Sequence, residues 1–134
     1  MSKIHYIDIK TDKRSQFIDI TDRIQDLVDD SKIVTGIVEI FALHTTAAIT
    51  INENSGPSVK TDILNHLSKT IPENERYEHR EGNSDPHIKS SLLGVHKSIF
   101  VADGKLVLGT WQGIYFCEFD GPRSRRVALK IYAD

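Results

Sequence analysis

Six histidines occur in this 134-residue chain, and three stand where imidazole chemistry is most useful. His44 opens a short polar break, His44-Thr45-Thr46, between two apolar, largely β-branched runs. His79 lies in a polar stretch beside Glu78 and Glu81, and His87 follows Asp85-Pro86 at the head of a segment with helical periodicity. Imidazole is the commonest zinc ligand, and three such ligands leave a fourth position open for water or substrate. A divalent metal, zinc first among the candidates, is therefore one expectation for His44, His79 and His87. Their spacing matches no compact motif such as HExxH. A hydrogen-bonded polar cluster without an ion is the alternative reading. Glu53, flanked by Asn52 and Asn54 just past the second run, has the chemistry of a general base for metal-bound water. The same three residues would also serve simply as a turn. His66 reads as structural or surface, His5 as a rim residue of the core, and His96 admits either role.

Two further groups carry recognition chemistry. In Gly109-Thr110-Trp111-Gln112-Gly113, glycines on both sides of a bulky aromatic suggest a bulge or a close backbone approach. Trp111 is suited to stack on a planar ring while Gln112 reads its polar edge, or to fill a subunit interface. Arg123, Arg125 and Arg126 follow a Gly-Pro turn. Guanidinium groups grip phosphate bidentately, and a charge-protected edge strand is the competing account. Cys117 is the only cysteine, so no intrachain disulfide forms. Among Tyr115, Phe116 and Phe119 it reads as a small buried apolar group.

The elements that must position these residues follow from periodicity. Alternation over Ile4–Lys10 and again over Phe17–Ile20 predicts two half-buried strands forming a hairpin. Thr21 is able to cap a short amphipathic helix bearing Ile24, Leu27 and Val28. Strands are expected at Ile33–Ala42 and Ala47–Ile51, on either side of His44. Pro57 suits a first helical turn, Val59, Ile63, Leu64 and Leu67 make its apolar stripe, and Glu73–Ser84 reads as a surface loop. A second helix starts near Asp85-Pro86 and stops at Gly94. A hairpin turning at Asp103-Gly104 and two strands joined by Asp120-Gly121-Pro122 complete the chain. The class predicted is α+β, a mainly antiparallel sheet or sandwich with short helices, in one domain spanning residues 1–134.

Bulk properties exclude several functions. Hydrophobic residues are 39% and charged residues 27%, the balance of a globular protein and not of a disordered one. The net charge of −2 is spread along the chain, which argues against a nucleic-acid partner. The N-terminus shows no continuous apolar signal region, and no run approaches the roughly 20 apolar residues that span a bilayer. A cytoplasmic protein without membrane attachment is expected.

Taken in order, the motifs resemble the YjbQ family, also described as the secondary thiamine-phosphate synthase family. The matching stretches are His44–Ala48, Thr50–Asn54, Tyr77–His79, Glu81–Asp85, His87–Gly94, Leu108–Ile114 and Glu118–Arg123. The resemblance implies a compact α+β fold, a homotrimer and a pocket near a subunit boundary. It also implies a metal-like cluster on His44, His79 and His87, with Glu53, His79 and His87 catalytic. Asn52, Lys89, Trp111, Gln112 and Arg123 are then the contacts for a small, phosphorylated substrate. The implied activity is weak thiamine-phosphate synthesis, joining an aminopyrimidine pyrophosphate to a thiazole phosphate. A metal-dependent hydrolase and a non-catalytic metabolite- or metal-binding oligomer are the alternatives. Two positions depart from the pattern: Pro86 replaces a small residue, and His96 stands where a small polar residue is more usual.

Overall fold

The computed structural model describes residues 3–134. The elements are β1 (Ile4–Lys10), β2 (Gln16–Asp19), α1 (Thr21–Ser31), β3 (Gly36–Ala42), β4 (Ala47–Glu53), α2 (Ser58–Thr70), α3 (Ser84–Leu93), β5 (His96–Ala102), β6 (Lys105–Leu106), β7 (Gln112–Glu118) and β8 (Ser124–Ala133). They build two antiparallel sheets, one in the order β1-β8-β3-β5-β6 and the other β2-β7-β4. The α+β class with a mainly antiparallel sandwich and short helices is therefore the observed one.

The sheets face each other because each strand alternates. From the larger sheet, Ile7, Ile9, Val38, Ile40, Val101, Val127 and Leu129 point inward, and Ala47, Ile49, Ile114 and Phe116 meet them from the smaller one. Helix α1 adds Ile24 and Val28, both fully buried, at about 1.5–3 kcal/mol each. The other face of the small sheet presents Phe17, Ala48, Tyr115, Cys117 and Phe119. Against these pack Ile63, Leu64 and Leu67 of α2 and Leu93 of α3. Cys117 is buried as the sequence suggests.

Two local expectations need correcting. β1 and β2 do not form a hairpin: β1 pairs with β8 and β2 with β7, so they belong to different sheets. The polar link between them is a crossover, and alternation alone cannot tell it from a tight turn. Thr21 also does not cap α1 with its own side chain. Asp19 Oδ1 accepts from the Thr21 amide (2.9 Å) and hydroxyl (2.6 Å), while Thr21 Oγ1 accepts from the Ile114 amide (2.8 Å). The Asp103-Gly104 turn does join β5 to β6. Both its residues have positive φ, 53° and 74°, as a two-residue hairpin of matching twist requires.

Of the six connections that carry the chain between sheets, 11–15, 43–46 and 119–123 form one group. The antiparallel register places all three at one end of the sandwich, where Lys10 pairs with Ser124, Ala42 with Val127, and both Gln16 and Ala47 with Glu118. The outer face of the larger sheet keeps exposed apolar side chains, among them Ile4, Tyr6, Phe41, Phe100 and Tyr132.

Candidate functional site

The convergence of these crossovers creates a polar core at that end. Glu118 continues the inward row of Ile114 and Phe116, and Arg125 that of Val127 and Leu129, so two charged residues meet between the sheets. Glu118 is fully buried and Arg125 is 6% exposed. Arg125 donates from Nε to Glu118 Oε1 (2.8 Å) and from Nη2 to Oε2, and Nη2 also reaches Thr46 Oγ1 (2.8 Å). Glu118 further accepts from the Thr11 hydroxyl (2.8 Å) and the Asp120 amide (3.0 Å). Burial pushes the Glu118 carboxyl up, but Arg125, Asp120 and Thr11 more than offset it, and its pKa lies below the ordinary value. One ion pair thereby ties all three crossovers together.

His44 is held on top of this core. The Leu43 amide donates to the Arg126 carbonyl (3.3 Å), and the Arg126 amide donates to His44 Nε2 (2.8 Å). Burial, followed by the charge of Arg125, lowers the His44 pKa below the usual imidazole value and so favours the neutral ring. Helix α3 closes the other side. Its Ser90 hydroxyl donates to the Ala47 carbonyl (2.6 Å), and the Ile49 amide donates to the Gly94 carbonyl (3.0 Å). Asn83 Nδ2 donates to Asp120 Oδ2 (2.9 Å), and Arg123 Nη2 donates to the same oxygen (3.0 Å).

Between these segments lies a cavity of about 410 Å³, whose lining includes His44, Thr46, Asn83, His87, Asp120 and Arg123. A second hollow of about 600 Å³ adjoins it across His44, Thr45 and His87, and continues along Ser90, Ser91, Gly94 and Val95. A third, lined by Tyr77, His79, Ser84, His87 and Ile88, opens on the far side of His87. His87 is thus common to all three.

The structure separates the sequence-predicted residues into groups. His44, His87 and Arg123 share the cavity. The rings of His79 and His87 lie edge to face with centroids 5.4 Å apart, but His79 faces the third hollow and an exposed Glu81 (3.8 Å). Asn52, Glu53, Trp111 and Gln112 sit at the other end of the β4–β7 ladder, where Glu53 pairs with Gln112 and Asn52 with Gly113. Six residues of extended strand, roughly 20 Å, separate Glu53 from the His44 end. Within one chain Glu53 therefore does not reach the histidines. Gln112 accepts from the Gly109 amide (2.7 Å) and closes its own turn, while Trp111 projects outward, 64% exposed. Lys89 is buried; its Nζ bonds Asp85 (3.2 Å) and lies 5.9 Å from the centre of the Phe119 ring.

The arginine cluster also differs from expectation. Arg123 is paired with Asp120, Arg125 with Glu118, and Arg126 with Asp8 (2.9 Å). Alternation along β8 sends Arg125 inward and Arg126 outward, so they do not form one phosphate grip. Nor do His44, His79 and His87 fit a three-imidazole metal centre. Among the described residues no group of three or more His, Cys, Asp or Glu side chains has an arrangement that would hold an ion. The Arg126 amide, moreover, uses the His44 Nε2 lone pair that a metal would need.

Thr46, Glu118 and Arg125 were not singled out as a unit by the sequence. The available signal was a charged residue at an inward position of each of two strongly apolar strands.

A family model described as "UPF0047 protein YjbQ-like" matches residues 5–134. The chain belongs to the YjbQ (UPF0047) family. It is 56% identical over 126 residues to UPF0047 protein MJ1081 of Methanocaldococcus jannaschii, covering 94% of this chain and 91% of that one. It is 48% identical over 126 residues to UPF0047 protein YugU of Bacillus subtilis, covering 93% and 96%. Solved structures agree. A YjbQ/UPF0047 protein from Clostridium acetobutylicum superposes with a TM-score of 0.94 at 52% identity, over 96% of this chain and 99% of that one. A YbjQ-like protein of unknown function from Sulfolobus solfataricus gives 0.92 at 34% identity over the whole of both chains. Among the described residues no helix is long and apolar enough to cross a membrane.

Proposed function

We propose that this YjbQ-family chain is a small-molecule enzyme acting on a phosphorylated heterocycle in the cavity beneath His44 and His87. The reaction is of the thiamine-phosphate synthase type. The C–O bond to pyrophosphate breaks with its electron pair leaving on oxygen, and the thiazole nitrogen supplies the pair for the new C–N bond.

The observation that carries this reading is the joining of two unlike hollows at His44 and His87. The first is polar, with Asn83, Asp120 and Arg123 set over the buried Arg125–Glu118 pair. The second runs past Gly94 and Val95 and offers room for a ring. Donors fixed at the polar end favour the charge that develops on a departing pyrophosphate, because they need no reorganisation when it forms. Since Arg125 is engaged by Glu118, the groups left to meet the ligand are His44, His87 and the half-exposed Arg123.

A homotrimer forms part of the proposal. The apolar outer face of the larger sheet, with Phe100 68% exposed, supports association between copies. Copies would also be the means of bringing the Trp111 end of one chain near the histidine end of another.

The test is direct. Purified protein supplied with both phosphorylated heterocycles is expected to form thiamine phosphate, detected by chromatography. His44→Ala and His87→Ala are expected to lose most of that turnover with their circular dichroism unchanged. Equal turnover in both variants, or none in the parent chain at high protein concentration, removes the proposal. Tight retention of an unconverted metabolite would show a binding module instead.

A further inference from the structure

We infer that His44 meets its ligand as a neutral N–H donor from Nδ1, with the Arg126 backbone amide as the positioning group, so that the cavity takes an anionic oxygen and not a His44-bound metal. This rests on the cavity being the ligand site proposed above.

The chemistry follows from one unambiguous donor. A backbone amide only donates, so the Arg126 N–H at 2.8 Å makes His44 Nε2 the acceptor. A neutral imidazole has one lone-pair nitrogen and one N–H, and the proton must then sit on Nδ1. The amide cannot drift from this role. The Leu43 amide bonds the carbonyl of the same Arg126, and Val127 beside it is registered to Ala42, so both polar groups of Arg126 grip the 43–44 segment. Asn83 Oδ1 is the single buried side-chain N or O atom without a partner among the described residues, so His44 Nδ1 is not walled in.

Rotating the ring does not recover a metal ligand at no cost. Any pose that frees Nε2 gives up the bond from the Arg126 amide, which lies at the exposed edge of the site and would turn to water. What the cavity presents is therefore a donor fixed in place, in a lining it shares with Arg123 and Arg125. A phosphate oxygen is the complementary partner, and a charge-assisted bond of this kind is stronger than a neutral one.

The test uses the whole chain, labelled with ¹⁵N-histidine, and reads the long-range nitrogen–proton spectrum at pH 7. The ligand-free protein is expected to show His44 with a pyrrole-type Nδ1 and a pyridine-type Nε2. Arg126→Ala keeps the amide and is expected to keep that pattern. Inorganic phosphate or pyrophosphate is expected to shift the His44 Nδ1 signal saturably, and His44→Ala to weaken phosphate binding by about tenfold or more. Zinc titrated into the protein is expected to leave His44 Nε2 unperturbed at stoichiometric metal. An Nε2–H tautomer, an imidazolium at pH 7, phosphate that leaves Nδ1 unmoved, or zinc arriving on His44 would each overturn the inference. The tautomer is read without turnover, so a chain with the expected spectrum and no thiamine phosphate formation would sink the proposed reaction alone.

Discussion

Arg125→Met should be the most damaging single substitution at the crossover end, and its effect can be worked out from the pair it breaks. Glu118 is fully buried and would lose both Arg125 donors, keeping only the Thr11 hydroxyl and the Asp120 amide. Removing one partner of a buried ion pair costs about 3–5 kcal/mol, because the remaining charge is stranded. For a chain of this length that corresponds to a fall in Tm of roughly 10–20 °C. The pH dependence supplies an independent check. In the parent protein the Glu118 pKa is depressed, so the pair's stabilisation is full above the unfolded carboxylate value and is lost as pH falls through the folded one. In the variant, burial acts without Arg125 and pushes the carboxyl up; protonation then relieves the stranded charge. The gap between parent and variant should therefore narrow as pH drops. Urea unfolding should be followed by far-ultraviolet circular dichroism at fixed protein concentration, since Trp111, the only tryptophan, is 64% exposed and reports little. The double variant Glu118→Leu/Arg125→Met should recover most of the loss. A deficit under about 1 kcal/mol that does not change with pH would refute the reasoning.

Other outcomes follow from neighbouring groups. Asp85 is fully buried, and although burial pushes its carboxyl up, Arg14 and Lys89 bring it below the ordinary value. Its contribution should be intact above roughly pH 4 and fade as pH falls through the lower folded value. Asp85→Ala should cost about 3–5 kcal/mol in urea titrations by stranding Lys89, which is 4% exposed. Burial drives the Cys117 thiol well above its usual pKa, so a thiol reagent should modify the native protein only as fast as it opens. Phe100→Glu, on the bare face of the larger sheet, should leave circular dichroism unchanged but lower the mass seen by sedimentation. An unchanged mass would remove this face from the proposed assembly.

Much of this is legible in the sequence. Alternation marked the strands, and Gly94 and Asp103-Gly104 marked a helix stop and a turn, because each reflects a local steric demand. The break at His44 stood out since polar residues between two β-branched runs need a reason. Sheet membership was not legible. Runs such as Ile4–Lys10 and Phe17–Ile20 look the same whether joined by a hairpin or by a crossover between layers. That ambiguity separates the expected β1–β2 hairpin from the observed crossover, and it also conceals the distance between Glu53 and His44. Residues nine apart in sequence look adjacent until β4 is seen to run its full length between them. The three arginines looked like one patch for a similar reason, since clustering in sequence ignores the period-two alternation that turns Arg125 and Arg126 to opposite faces.

The position of the cavity follows from topology more than from any one motif. A strand pair within a sheet leaves its turn at the sheet edge, but a chain changing layers must cross the open end of the sandwich. Here the antiparallel register sends three of the six such crossings to the same end, so polar groups unsuited to either sheet face gather there. Thr11, Thr46 and the Glu118–Arg125 pair lie in, or at the boundaries of, the three crossings and bond to one another. The element that stabilises this end also holds His44, through Thr46 on one side and Arg126 on the other. Loosening the ion pair should therefore disturb the site and the fold together, whereas changes at the Trp111 end should alter neither within a single chain.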